Sequence, residues 1–178
     1  MLQPAVTVLL LSAILGGFRT ALAADQRKDG PADTTINANG ATTILGSVAG
    51  STLRAVITTH VVQIGRPGSP AANMRNTNCT YSRYPCSIVD RIDISVNGRP
   101  IDVKRSVFAD LADLNRGRFK LSEGNRPILS FEGGDASESF VLDISLSKDR
   151  VLSRKRSDGE FPENYETTTY VVAPANAN

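Results

Sequence analysis

Phe140, Leu142, Ile144 and Leu146 alternate with Val141, Asp143, Ser145 and Ser147. Successive side chains of a β-strand point to opposite faces, so this period of two predicts a strand with one apolar face buried. A helix would scatter the same apolar residues around its circumference. Ile92, Ile94 and Val96 repeat the pattern against Arg91, Asp93 and Ser95 within Ile88–Val96. Asn97-Gly98 follows at once, and both residues tolerate the positive φ that a two-residue hairpin requires. A chain built from such segments is constrained to antiparallel pairing, and each apolar face needs a covering layer.

Further strand signals are dense. Leu53–Ile64 is rich in β-branched residues. A return strand is expected over Arg99–Lys104, with Ile101 and Val103 on one face and Pro100 at its start or on an edge. Arg118–Leu121 and Ile128–Phe131 flank the turn formers Glu123-Gly124-Asn125. Lys148-Asp149 turns the chain into Val151–Lys155, and Thr167–Val172 predicts a last strand. One helix is expected: Ser106 has the character of an N-cap, Val107, Leu111 and Leu114 fall at i, i+4 and i+7 with Phe108 alongside, and Asn115 and Gly117 are stop signals. The fold class is therefore mainly β, an antiparallel sheet or sandwich of about seven or eight strands, with one short α-helix near 106–115.

The first residues read as an export signal. Ala5–Phe18 is a 14-residue run without charge, and Ala21-Leu22-Ala23 is a small-x-small cleavage pattern. The run is short of the ~20 apolar residues that span a membrane, and Gly16 and Gly17 interrupt it. It departs from the usual pattern in carrying no basic residue before Arg19. The expected organisation is a signal peptide at 1–23, a flexible polar tail at 24–40, a single β-rich domain at 41–172 and a C-terminal tail at 173–178. The mature protein is then periplasmic or secreted, and not an integral membrane protein. The chain has 20 basic and 18 acidic residues, a net charge of +2, and loss of Arg19 lowers that by one. Nucleic-acid binders carry a marked basic excess, so neither nucleic acid nor an acidic membrane surface is indicated as a partner.

Cys79 and Cys86 are the two cysteines. In an exported chain, two cysteines six residues apart most simply form a disulfide, which stabilises by roughly 2–3 kcal/mol through loop closure. The enclosed Tyr81, Arg83 and Tyr84 are residue types favoured at binding hot spots, so they are the candidate partner-binding residues. The plainer alternative is a stapled surface loop. The spacing is not that of a CxxC redox motif, and two cysteines with one histidine make a poor zinc set. No metal or other cofactor is called for. Asn78-Cys79-Thr80 matches a glycosylation sequon, but a disulfide-bonded residue in the middle makes it a poor acceptor.

His60, the sole histidine, lies in a predicted strand, and no GxSxG elbow supplies a nucleophile for it. It reads as a strand histidine on the solvated face or in a hydrogen bond. Gly133-Gly134-Asp135-Ala136-Ser137-Glu138-Ser139 reads as a sharp turn or bulge. Asp135 and Glu138 could alternatively serve as a carboxylate pair of a hydrolase or as calcium ligands, although the remaining ligands of a recognised motif are missing. Arg150, Arg154, Lys155 and Arg156 precede Asp158, Glu160, Glu163 and Glu166, which suggests a solvated hairpin whose arms attract each other, or a charged recognition face.

The segments Val96-Asn97-Gly98-x-x-Ile101-x-Val103, Ser106-Val107-Phe108-Ala109-Asp110-Leu111 and Gly133-Gly134-Asp135-Ala136-Ser137-Glu138-Ser139-Phe140 resemble a pattern in small exported bacterial proteins of unknown function. The resemblance covers about Cys79 to Tyr170. It implies one folded module and bacterial export, and it transfers no catalytic residue. The functional expectation is a non-enzymatic binding module acting through a protein–protein surface, such as an inhibitor or immunity protein of an envelope-acting enzyme. The alternatives are a hydrolase using Asp135 and Glu138, and a structural protein that binds a cell-envelope polymer.

Overall fold

A computed structural model describes residues 32–63, 79–80 and 85–171. Its strands are β1 (Thr34–Thr35), β2 (Gly40–Val48), β3 (Ser51–Val62), β4 (Cys86–Val96), β5 (Arg99–Pro100), β6 (Leu114–Leu121), β7 (Pro127–Gly133), β8 (Phe140–Leu146), β9 (Val151–Asp158) and β10 (Tyr165–Thr169). They form two antiparallel sheets, a six-stranded one in the order β1-β6-β7-β8-β9-β10 and a four-stranded one in the order β2-β3-β4-β5. No helix among the described residues is long and apolar enough to cross a membrane.

The period-two pattern does what the sequence requires of it. Phe140, Leu142, Ile144 and Leu146 are all buried, while Val141, Asp143 and Ser145 are only half-buried. In the other sheet Leu53, Ala55 and Ile57 of β3 and Ile92, Ile94 and Val96 of β4 are buried. These residues join Phe119, Leu129 and Phe131 in one apolar core shared by both sheets. Asn97 and Gly98 both adopt positive φ, as the hairpin between β4 and β5 demands, and Asn97 Oδ1 also accepts a hydrogen bond from the Thr52 N–H at 2.9 Å.

The sheets approach most closely where β2 lies over β6. A Cβ on Gly117 would come within 2.6 Å of Ile44 Cδ1 and 2.8 Å of Phe131 Cδ1, and one on Gly46 within 2.8 Å of Phe119 Cβ. Glycine is needed at these positions because the facing side chains already fill the space. Gly117, expected as a helix stop, is instead an interior residue of β6.

Three sequence expectations are corrected. The α-helix near 106–115 does not form. Arg105–Val107 makes a 3-10 turn, and Leu114 begins β6. The cause is competition for the backbone. The carbonyls of Ser106 and Val107 accept hydrogen bonds from Arg154 Nη1, at 3.4 and 3.1 Å, rather than from amides one turn ahead. Leu111 C=O accepts from Val89 N–H, and Asp113 N–H donates to Ser87 C=O, so the segment pairs with the start of β4. Its apolar residues are buried as expected, but by a strap along a strand. The return strand is the second correction: only Arg99–Pro100 pairs as β5, and Ile101 packs in the core beyond it. The third concerns the tail. Thr34 and Thr35 pair with β6, and Ile36 is in the core.

A bulge adjusts β4. Thr58 pairs with Arg91 and Thr59 with Val89, leaving Asp90 as the extra residue. Inward parity thus changes from Ile92 and Ile94 to Val89 and Ser87, which brings the start of β4 against the strap.

Gly117→Ala should destabilise the protein by about 1–3 kcal/mol, the usual cost of overpacking a filled core. A lower denaturant midpoint at unchanged slope is the expected result.

Candidate functional site

Cys79 and Cys86 form a disulfide with their Cα atoms 5.7 Å apart. The signal in the sequence was sufficient here. The candidate contact residues Tyr81, Arg83 and Tyr84 lie outside the described residues, as does Asn78 of the sequon. The stems of the loop are described, and a buried carboxylate holds them. Thr80 N–H donates to Asp113 Oδ2 and Ser87 N–H donates to Asp113 Oδ1, both at 2.8 Å. Asp113 is 2 % exposed and has a φ of 50°. Its carbonyl accepts from Gly134 N–H, and its own N–H donates to Ser87 C=O. Each carboxylate oxygen satisfies one amide beside the disulfide, so Asp113 is a second fastening for the same loop.

Sequence reasoning missed Asp113 because it placed the residue inside a helix. The weak signal available was its type: Asp and Asn tolerate the left-handed region that ends the strap. Cys79, Cys86 and Asp113 are also the one grouping of potential metal ligands among the described residues. They do not fit a metal. The sulfurs are bonded to each other rather than free thiolates, and the carboxylate already accepts two amides.

Cys79 and Thr80 form one wall of an open cleft of about 550 Å³. The turn Ala136–Glu138, the end of β9 and the start of β10 supply the rest. Arg156 lies in this cleft with its guanidinium 4.6 Å above the Phe140 ring, and its Nε is buried without a hydrogen-bond partner. Glu138, Asp158 and Glu166 line the same cleft, so acids outnumber the single base. The groove is open and charged rather than enclosed and apolar.

Asp135 and Glu138 are both exposed, one before and one within the 3-10 turn. Glu138 lines the cleft and Asp135 does not. Of the paired glycines, Gly133 ends β7 against the Phe140 ring and Gly134 serves the turn. Gly134 has a φ of 72°, and a Cβ there would lie 2.1 Å from the Glu138 carbonyl oxygen. His60 Nδ1 lies 2.7 Å from Asp90 Oδ1 on an exposed part of β3 and β4, which fits its reading as a hydrogen-bonded strand histidine.

The basic cluster is not uniformly solvated, which corrects the expectation for Arg154. That residue is 8 % exposed. Its Nη1 is 2.5 Å from Asp110 Oδ1 and its Nη2 is 2.7 Å from Asp110 Oδ2, a two-pronged pair, with Glu166 Oε1 at 3.6 Å. Tyr170 Oη donates to the Ser106 carbonyl at 3.2 Å beside it. Burial of Asp110 opposes its ionisation, but hydrogen bonding from Arg154 and the charge of that residue outweigh burial and lower its pKa. Lys155 fits the solvated reading, on the outer face with its Nζ 3.9 Å above the Tyr165 ring.

No family model matches this sequence, and no match was found among curated proteins or among solved structures.

Two measurements probe this region. Asp113→Asn presents an NH₂ group to one of the two amides, and an unsatisfied buried donor costs about 1–3 kcal/mol. The melting temperature should fall even with the disulfide intact. For Asp110, the folded pKa is lowered, so its stabilising contribution is complete above the ordinary value of 3.8 and is lost as pH falls below that through the folded-state value. Stability of the wild type should therefore drop more steeply on acidification below about pH 4 than that of Asp110→Asn. At neutral pH the variant should be less stable, toward the lower end of the about 3–5 kcal/mol lost when a buried pair is broken.

Proposed function

We propose that this chain is an exported binding module that acts through a protein–protein surface centred on the Cys79–Cys86 loop. The observation that carries the reading is the double fastening of that loop. The disulfide joins its ends, and the Asp113 carboxylate grips the amides of Thr80 and Ser87 on either side. A loop fixed at both stems loses less conformational entropy on binding, so its side chains spend less of their contact energy on ordering. Tyr81, Arg83 and Tyr84 are the residues assigned to the contact. The adjoining acidic cleft supplies a rim for a partner with basic groups. In its specific form the protein is an inhibitor or immunity protein that covers an envelope-acting enzyme from the periplasmic or secreted side. The uncharged run Ala5–Phe18 with Ala21-Leu22-Ala23 supports export, and the disulfide is compatible with an oxidising compartment.

The hydrolase reading is weaker. It requires Asp135 and Glu138 to act on one bond from a shared concavity, and only Glu138 borders the cleft. Binding to an envelope polymer remains the third reading, and it predicts co-sedimentation with purified cell wall.

The test uses the oxidised protein as bait in envelope extract. A single partner in near one-to-one amount is expected. Replacing Tyr81, Arg83 and Tyr84 together with Ala should abolish its capture while leaving the melting temperature nearly unchanged. Full capture by the triple variant overturns the loop assignment.

A further inference from the structure

Among the described residues β10 ends the six-stranded sheet, and all five of its residues are exposed. Asp158 N–H donates to the Asn164 carbonyl and Tyr170 N–H donates to the Leu152 carbonyl, so the even-numbered residues bond to β9. The antiparallel ladder alternates, which directs the N–H and C=O groups of Tyr165, Thr167 and Thr169 to the open edge. Such an edge is a template for another strand unless something blunts it. Two of the other sheet ends are blunted. Strands β1 and β5 have two residues each, β5 contains Pro100, and β1 follows Asp33, which pairs with Arg118 at 2.8 Å. Strand β2 lays one face on β6 and carries Gly40 and Gly46, residues that suit a pairing strand poorly. Strand β10 contains no Lys or Pro, and its register with β9 has no bulge. Phe161, Tyr165 and Val171, three of the exposed large apolar residues, lie in or beside it.

We propose that β10 is the pairing edge for a second copy of this chain, joined antiparallel about a two-fold axis at Thr167. The charge pattern of the strand fits a second copy of itself and favours this register. Tyr165 meets Thr169 of the second copy, Thr167 meets its own counterpart, and Glu166 meets Thr168, so no like charges oppose each other. Sliding the strands so that Tyr165 meets Thr167 sets Glu166 directly against Glu166. The centred register is also the one that pairs β10 with itself along its whole length. Arg154 Nη2 lies 3.6 Å from Glu166 and offsets the acid that each copy brings to the seam. The β-branched run Thr167–Thr169 suits a paired strand. An isologous contact of this kind closes after two copies, which removes the exposed edge without building a fibre.

Tyr165 and Glu166 at the start of β10 also line the cleft beside Cys79, but Thr167 on the axis does not, so the loop and Thr167 variants separate the two proposals. Sedimentation equilibrium of the chain, in the form its host processes, should show a monomer–dimer equilibrium between about 1 and 100 µM. Thr167→Lys sets two ammonium groups opposite each other on the axis and should weaken the dimer roughly tenfold. Thr167→Pro removes an edge-facing N–H without touching the β9 ladder and should weaken it similarly. Far-UV circular dichroism and melting of the monomer should match wild type in at least one variant. The loop triple variant should dimerise normally. A wild type that stays monomeric throughout the range overturns the proposal, as does a dimer equally tight in both folded variants. A monomer that captures a foreign protein in a Thr167-dependent way also overturns it, and assigns the edge to a foreign strand.

Discussion

The close packing of β2 on β6 sets the separation of the two sheets, and the rest of the structure follows from that distance. Ile44 and Phe131 occupy the space that a side chain at Gly117 would take, and Phe119 fills the space at Gly46. Two sheets that each hide only one face must share a core, and here Phe119, Leu129, Phe131, Leu142 and Ile144 meet Leu53, Ile57, Ile92 and Ile94 in a single cluster. Burial of this apolar area is the main stabilising term. It also leaves the outer faces to polar and charged residues, such as the Arg116–Glu132 pair and Lys120 with Asp143.

Polar groups hold the parts that regular pairing leaves over. The strap between β5 and β6 contains a large share of apolar residues but little repetitive structure. Two buried charged side chains compensate. Arg154 takes the carbonyls of Ser106 and Val107 and pairs with Asp110, while Asp113 takes the amides of Thr80 and Ser87. Each satisfies backbone groups, those of Val107, Thr80 and Ser87, that would otherwise be buried alone, a loss that a folded chain rarely tolerates. The consequence for function is positional. The same carboxylate that ends the strap also fixes the stems of the disulfide loop at the wall of the charged cleft.

Much of the strand content was legible in the residues. The alternation in Phe140–Leu146 and Ile92–Val96, the Asn97-Gly98 turn and the Cys79–Cys86 disulfide all follow from local rules of period, φ and spacing. Strand β2 was less visible, because Gly46 stands half-buried in its apolar row and Thr42 is one of its buried residues. The candidate site was legible only at its disulfide. Arg154 reads as one of several surface bases, and nothing local marks it as the member that lies buried.

The sequence by itself determined β3, β4, β7, β8 and β9, the Asn97-Gly98 turn and the covalent loop, because each depends on neighbours a few residues apart. Tertiary structure decided the fate of residues 105–114. Val107, Leu111 and Leu114 have helical spacing, yet the carbonyls of Val107 and Leu111 accept from Arg154 and Val89 and the Asp113 N–H donates to Ser87, all residues remote in the chain. Tertiary structure likewise decided that Asp113 and Arg154 are buried and that β10 is the last of the described strands in its sheet. Burial and pairing of this kind depend on which distant groups arrive at the same place. A short helix that satisfies only its own backbone loses to a strap that also closes the core.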